Sequence, residues 1–131
     1  MNLVDSSGWL EYLTDSKNAK FFAPVIEKID ELLVSPINIY EIYKKVLTEK
    51  DENFALQVVG LMQQAKIIEV SSSIAIQAAK FSYKNKIPMA DSIIYTTARM
   101  NDAIVWTQDI DFKDLDGVKF IKKSRLIPKL R

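Results

Sequence analysis

An α/β fold around a parallel sheet is what this sequence predicts, and two observations carry the prediction. Short apolar runs alternate along the chain with stretches whose apolar residues recur every three to four positions. The chain is also an ordinary globular one: 131 residues, 48% hydrophobic and 27% charged, with only 3 Gly and 4 Pro, which argues against disorder or low complexity.

Leu3-Val4 opens as a strand, Asp5-Ser6-Ser7-Gly8 reads as a turn, and Trp9, Leu10 and Leu13 follow at helical spacing. A second helix is expected from Lys17 to Ile29, then a buried strand at Leu32-Leu33-Val34. Ser35-Pro36 starts the next helix, since Ser caps free backbone N–H groups and Pro suits the first helical position. Glu41 falls in its second turn. Asn53 to Gln64 is helical by its apolar spacing, and Lys66-Ile67-Ile68-Glu69-Val70 reads as a strand that ends at Ser71-Ser72-Ser73. Helices are expected at Ile74 to Tyr83 and Ala90 to Met100, and strands at Ala103 to Trp106 and Val118 to Ile121. No repeat and no linker divides residues 1–131, so one domain is expected, and a chain of this size buries about two-thirds of its unfolded surface.

With 0 Cys and 0 His, thiolate and imidazole nucleophiles, zinc sites and haem ligation are excluded, and no disulfide framework exists. The opening residues lack a basic segment followed by an apolar one, and no apolar run approaches ~18 residues, so neither export by that route nor a membrane span is expected. A cytoplasmic location suits the cysteine-free composition. Net charge of +1 gives no global attraction for nucleic acid, and Lys44-Lys45, Lys122-Lys123, Arg125, Lys129 and Arg131 read first as ordinary solvated surface.

The chemistry available is carboxylate chemistry. Asp5 and Asp109 follow strands, Asp91 lies in the first turn of its helix, and Glu41 reaches out of another. In open parallel sheets the crevice beyond the carboxyl ends of the strands gathers such residues, and right-handed crossovers align the strand-to-helix turns. Two like charges about 4 Å apart repel by roughly 4 kcal/mol at an effective dielectric of 20, so convergence calls for a cation or for shifted pKa values. Carboxylates and water suit Mg²⁺ or Mn²⁺, which can activate water for attack on phosphorus. Each acid also has a structural job open to it. Asp5 and Asp91 can cap helices, Glu41 can pair with Lys45, and Asp109 and Asp111 can be turn residues.

Val4-Asp5-Ser6-Ser7, Ser35-Pro36 through Glu41, Met89-Ala90-Asp91-Ser92-Ile93-Ile94 with Thr97-Ala98, and Thr107-Gln108-Asp109-Ile110-Asp111-Phe112 resemble the four motif blocks of PIN-domain ribonucleases, above all the VapC-type toxins of prokaryotic toxin–antitoxin pairs. The resemblance runs in order over essentially the whole chain. It implies a three-layer α/β/α fold with a mainly parallel central sheet, and Mg²⁺- or Mn²⁺-dependent cleavage of RNA. Asp5, Glu41, Asp91 and Asp109 would be the metal-site acids, with Asp111 auxiliary or alternative to Asp109, while Ser7 and Thr107 match polar positions that orient ligands or metal-linked water. A homodimer and a small antitoxin whose tail fills the acidic groove are also implied. Lys122 to Arg131 are then candidates for RNA phosphate contacts, and Trp9 or Tyr12 for partner contacts, against core packing for both aromatics. Two other readings compete. A phospho-receiver fits poorly, because Ser6 follows Asp5 and Thr107-Gln108-Asp109 stands where a receiver needs Lys. A catalytically silent PIN-like module that binds a partner or RNA would keep the same acids.

Overall fold

A computed structural model describes residues 1–124 of the chain. Among these residues five strands make one parallel sheet: β1 (Asn2–Val4), β2 (Leu32–Val34), β3 (Lys66–Ile67), β4 (Ile104–Thr107) and β5 (Val118–Phe120), in the order β3-β2-β1-β4-β5. Six α-helices connect them: α1 (Ser6–Leu13), α2 (Ala19–Ile26), α3 (Pro36–Glu49), α4 (Glu52–Met62), α5 (Ser72–Asn85) and α6 (Met89–Met100). The central strand β1 pairs on one side with β2 and on the other with β4, Leu3 lying opposite Leu33 and Val105.

Alternation along the strands decides which helices lie on which face. Val4, Leu32 and Val34 point into a core shared with Trp9, Phe22, Ile42, Val46, Val58 and Met62, so α1 to α4 cover that face. Leu3, Leu33 and Val105 point the other way, against Ile94, Tyr95 and Ala98 of α6, with Phe81 of α5 packed alongside. The result is three layers, α/β/α, as the resemblance implies.

Several boundaries differ from the sequence reading. No turn separates β1 from α1, because Asp5 caps the helix directly, its carboxylate accepting from the Gly8 N–H at 3.0 Å. Position 8 has no room for a side chain because α1 lies hard against β1: a Cβ there would stand 2.5 Å from Val4 Cγ1 and 2.6 Å from Phe22 Cε1. The second helix stops at Ile26, and Ile29–Glu31 is a separate 3-10 turn. The strand expected over Lys66 to Val70 keeps only Lys66–Ile67, because its partner β2 ends at Val34 and Ser35 turns away to cap α3. Trp9 is wholly buried, so core packing is its role. Arg125, Lys129 and Arg131 lie outside the described residues.

Candidate functional site

Every element that carries a candidate acid delivers it to the carboxyl edge of the sheet. Asp5 leaves β1, and Thr107 ends β4 just before Asp109. α3 rises from the same edge after β2. α6 leads down into β4, so its first turn, with Asp91, also sits there. Strand order reverses between β1 and β4, the position at which open α/β sheets form their crevice.

Asp5 is the most firmly held of the acids. Its side chain is buried and accepts from Ser7 Oγ at 2.8 and 3.0 Å, from the Gly8 N–H at 3.0 Å and from Thr107 Oγ1 at 2.7 Å. Thr107 Oγ1 in turn accepts from the Asp109 N–H at 2.8 Å, which ties the two strand ends together. Burial pushes the Asp5 carboxyl up to about 6; the three kinds of donor pull it back, and Asp109 adds to the rise.

Glu41 is positioned by a relay. The Ser35 N–H donates to Asn38 Oδ1 at 3.0 Å, Asn38 Nδ2 donates to Ser6 Oγ at 3.1 Å, and Ser6 Oγ donates to Glu41 Oε1 at 2.7 Å. The expected Glu41–Lys45 pair does not form: Lys45 meets Glu49 at 3.0 Å instead. Glu41 faces α1 rather than solvent, a choice that apolar periodicity left undecided.

Asp91, Asp109 and Asp111 offer carboxylate oxygens within 4.8 Å of one another. Asp109 also does the turn job open to it, accepting from the Asp111 N–H at 2.9 Å. Asp91 is not a cap; Pro88 holds that position and no side chain caps α6. Burial, then the charges of Asp109, Asp5, Glu41 and Asp111 in that order, push the Asp91 carboxyl up to about 7. All five acids singled out from the sequence are therefore within electrostatic reach of one point, with Asp111 in the tightest trio and Asp5 and Glu41 behind it.

The donor set fits a hard divalent cation. It is made of oxygen alone, and among the described residues the salt bridges are Lys28–Glu31 and Lys45–Glu49, neither of which brings a cation to the acids. Such a cluster is stabilised by a metal that neutralises it. Ser6 and Asn38 are site residues that sequence reasoning missed. Only the Ser35-x-x-Asn38 spacing hinted at one of them, as a capping box.

These features define a class: a three-layer α/β protein with carboxylates gathered at the switch point of a parallel sheet. The sequence profile of the PIN domain matches residues 3–118. The chain belongs to the PIN domain family. A toxin–antitoxin complex from Klebsiella pneumoniae superposes with TM-score 0.76 at 20% identity, covering 91% of this chain and 96% of that one. VapC20 from Mycobacterium tuberculosis, a Sarcin-Ricin loop cleaving toxin, gives TM-score 0.75 at 12% identity over 90% and 97%. FitAcB from Neisseria gonorrhoeae gives 0.69 at 22% over 92% and 97%. At these identities the likeness is one of fold. No curated protein sequence matches the chain. The receiver reading ends here, since receivers order their strands 2-1-3-4-5 and this sheet runs 3-2-1-4-5. No described helix is long and apolar enough to cross a membrane.

Proposed function

We propose that this chain is a metal-dependent endoribonuclease, the VapC-type toxin of a toxin–antitoxin pair, acting in the cytoplasm. The observation that carries the reading is the convergence on Asp91: Asp109 and Asp111 within 4.8 Å, and Asp5 and Glu41 adding their fields, with no salt bridge to any of them among the described residues. Asp91, Asp109 and Asp111 would hold Mg²⁺ or Mn²⁺ most directly, with Asp5 and Glu41 completing the charge of the site. When bound, the metal supplies charge neutralisation at the scissile phosphate and an acidified water for attack on phosphorus.

The chain's own contribution is placement. Ser7, Gly8 and Thr107 fix both oxygens of Asp5, and Ser6 fixes one oxygen of Glu41, the other accepting no hydrogen bond among the described residues. Such outer hydrogen bonds set ligand orientation and basicity. The Klebsiella neighbour is a toxin–antitoxin complex and VapC20 cleaves the Sarcin-Ricin loop, which supports an antitoxin partner and an RNA substrate for this chain. An arginine from an antitoxin tail would match the carboxylates bidentately and replace the metal's charge. A homodimer belongs to the same reading and is checked by light scattering of the purified chain.

The test of activity is cleavage of RNA in Mg²⁺ or Mn²⁺, with a chelated sample and an Asp91→Asn preparation run beside it. Cutting by the wild type alone, abolished in both controls, supports the enzyme. A folded, inhibitor-free wild type that cuts no RNA turns the reading to a silent binding module.

A further inference from the structure

Next to the acids the crevice opens into a recess of about 410 Å³, lined by Ser7 and Asp109 from the site and by Ile110, Phe120, Lys122 and Lys123. Its volume is that of a small-ligand pocket. Its chemistry is mixed in a particular way: a carboxylate, two exposed lysines that form no salt bridge among the described residues, and an apolar lining that includes Ile110 at 71% exposure.

The lysine segment is held in place from inside the protein. Asn18 Nδ2 donates to the Lys122 carbonyl at 3.0 Å and to Gln108 Oε1 at 2.9 Å; Gln108 Nε2 donates to Glu11 Oε1 at 3.2 Å, and the Asn18 N–H to Glu11 Oε2 at 2.7 Å. Glu11, Asn18 and Gln108 are all buried, and the Ile121 N–H donates to the Thr107 carbonyl at 3.0 Å. A buried carboxylate is costly unless fully bonded. Here the bonds it makes lock the chain after β5 to the strand end that carries Asp109. The lysines are thereby set beside the acids in advance of any ligand.

We infer that this recess seats the nucleotide adjoining the scissile phosphate of a single-stranded RNA, with Lys122 and Lys123 taking its phosphate and Ile110 and Phe120 packing against its base. The inference rests on the ribonuclease reading above. A strand that brings one phosphate to the acids must place the next one a nucleotide away, where further carboxylates would repel it and lysines hold it. A basic peptide would meet Lys122 and Lys123 as like charges, so RNA is the better occupant.

The test is RNA binding by the full chain carrying Asp91→Asn, measured over a salt series in Mg²⁺, with and without Lys122→Ala plus Lys123→Ala. Two lost phosphate contacts should lower the slope of log affinity against log salt by about 1.4, and weaken binding about tenfold near 0.15 M salt. Lys80→Ala plus Lys84→Ala, an equal charge change on exposed positions of α5, should leave the slope unchanged, and Lys122→Arg plus Lys123→Arg should retain it. In the cleaving enzyme the alanine pair should raise KM by more than it lowers kcat. Equal slopes for the two alanine pairs, or a fall in kcat with KM unchanged, would overturn the inference. Absence of cleavage by the wild type would instead count against the ribonuclease reading, and the binding slopes keep the two failures apart.

Discussion

Asp5 and Asp91 face the same crevice and are built in opposite ways. Asp5 is sealed in and accepts from three donors, Ser7, Gly8 and Thr107, the Ser7 hydroxyl being shared between its two oxygens. Asp91 is half-buried, and its carboxylate accepts none among the described residues. Burial raises both, but donors hold Asp5 near 6 while four other acids drive Asp91 to about 7. One side of the site is finished by the fold, and on the metal-dependent reading proposed above the other is left for a ligand to finish. Preorganised charge is useful only where the geometry is fixed before the ligand arrives, and here the fixed half is the one rooted in the central strand.

The largest effect should come from the unfinished half. Asp91→Asn is expected to lower RNA cleavage a hundredfold or more, by analogy with the 10- to 100-fold losses seen when mere outer partners of metal ligands are removed. The metal-free protein should melt no lower than the wild type, because the repulsion centred on Asp91 is relieved. A melt well below wild type would mean that Asp91 is structural and would erase the contrast with Asp5.

Gly8→Ala attacks the finished half through packing. The new methyl has no space against Val4 and Phe22, so α1 must shift from β1, at a cost of about 1–3 kcal/mol for overpacking, read by chemical denaturation. Ser6→Ala should weaken Mg²⁺ binding about tenfold through Glu41 with a smaller change in stability, measured by calorimetric titration. If Ser6→Ala leaves metal affinity untouched, Glu41 belongs to the frame rather than to the site.

The smallest effect is on pH dependence. Asp5 and Asp91 have folded pKa values of about 6 and 7, raised above the ordinary 3.8. The folded state therefore binds more protons than the unfolded one between about pH 4 and 7. Metal-free stability from these groups is fully present below pH 4 and is lost as pH rises through 6 to 7. Bound metal needs the deprotonated acids, so the rise in melting temperature on adding Mg²⁺ should be larger at pH 8 than at pH 5.5. Thermal melts in both conditions decide it, and Asp91→Asn should flatten the upper part of the metal-free curve.

Much of the sheet was legible because strands β1, β2 and β4 are short apolar runs ended by Asp5, Ser35 and the Thr107-Gln108-Asp109 segment. β3 was overextended because a strand ends where its partner does, and Lys66 to Val70 carries no record of Ser35 turning away. The direction of Glu41 was hidden for a similar reason: its donor Ser6 is 35 residues distant, and a hydrogen bond across that span leaves no local periodicity. Likewise nothing in the sequence marks Glu11, Asn18 and Gln108 as partners, because Gln108 lies 97 residues from Glu11 and 90 from Asn18. Acids at strand ends announce themselves by position, whereas the groups that aim them are visible only through tertiary contacts.

The hydrogen bond from Thr107 to Asp5 spans 102 residues, and it sets a timetable. β1 is made before β4 and cannot be flanked on both sides until β4 has been synthesised, and closing a loop of that length carries an entropic cost that the elements between help to offset. A ribosome-bound chain short of Thr107 thus holds Asp5 without its strand-end partner and without Asp109 or Asp111. The acidic crevice is completed only once β4 and the residues just after it have emerged, almost in a single step.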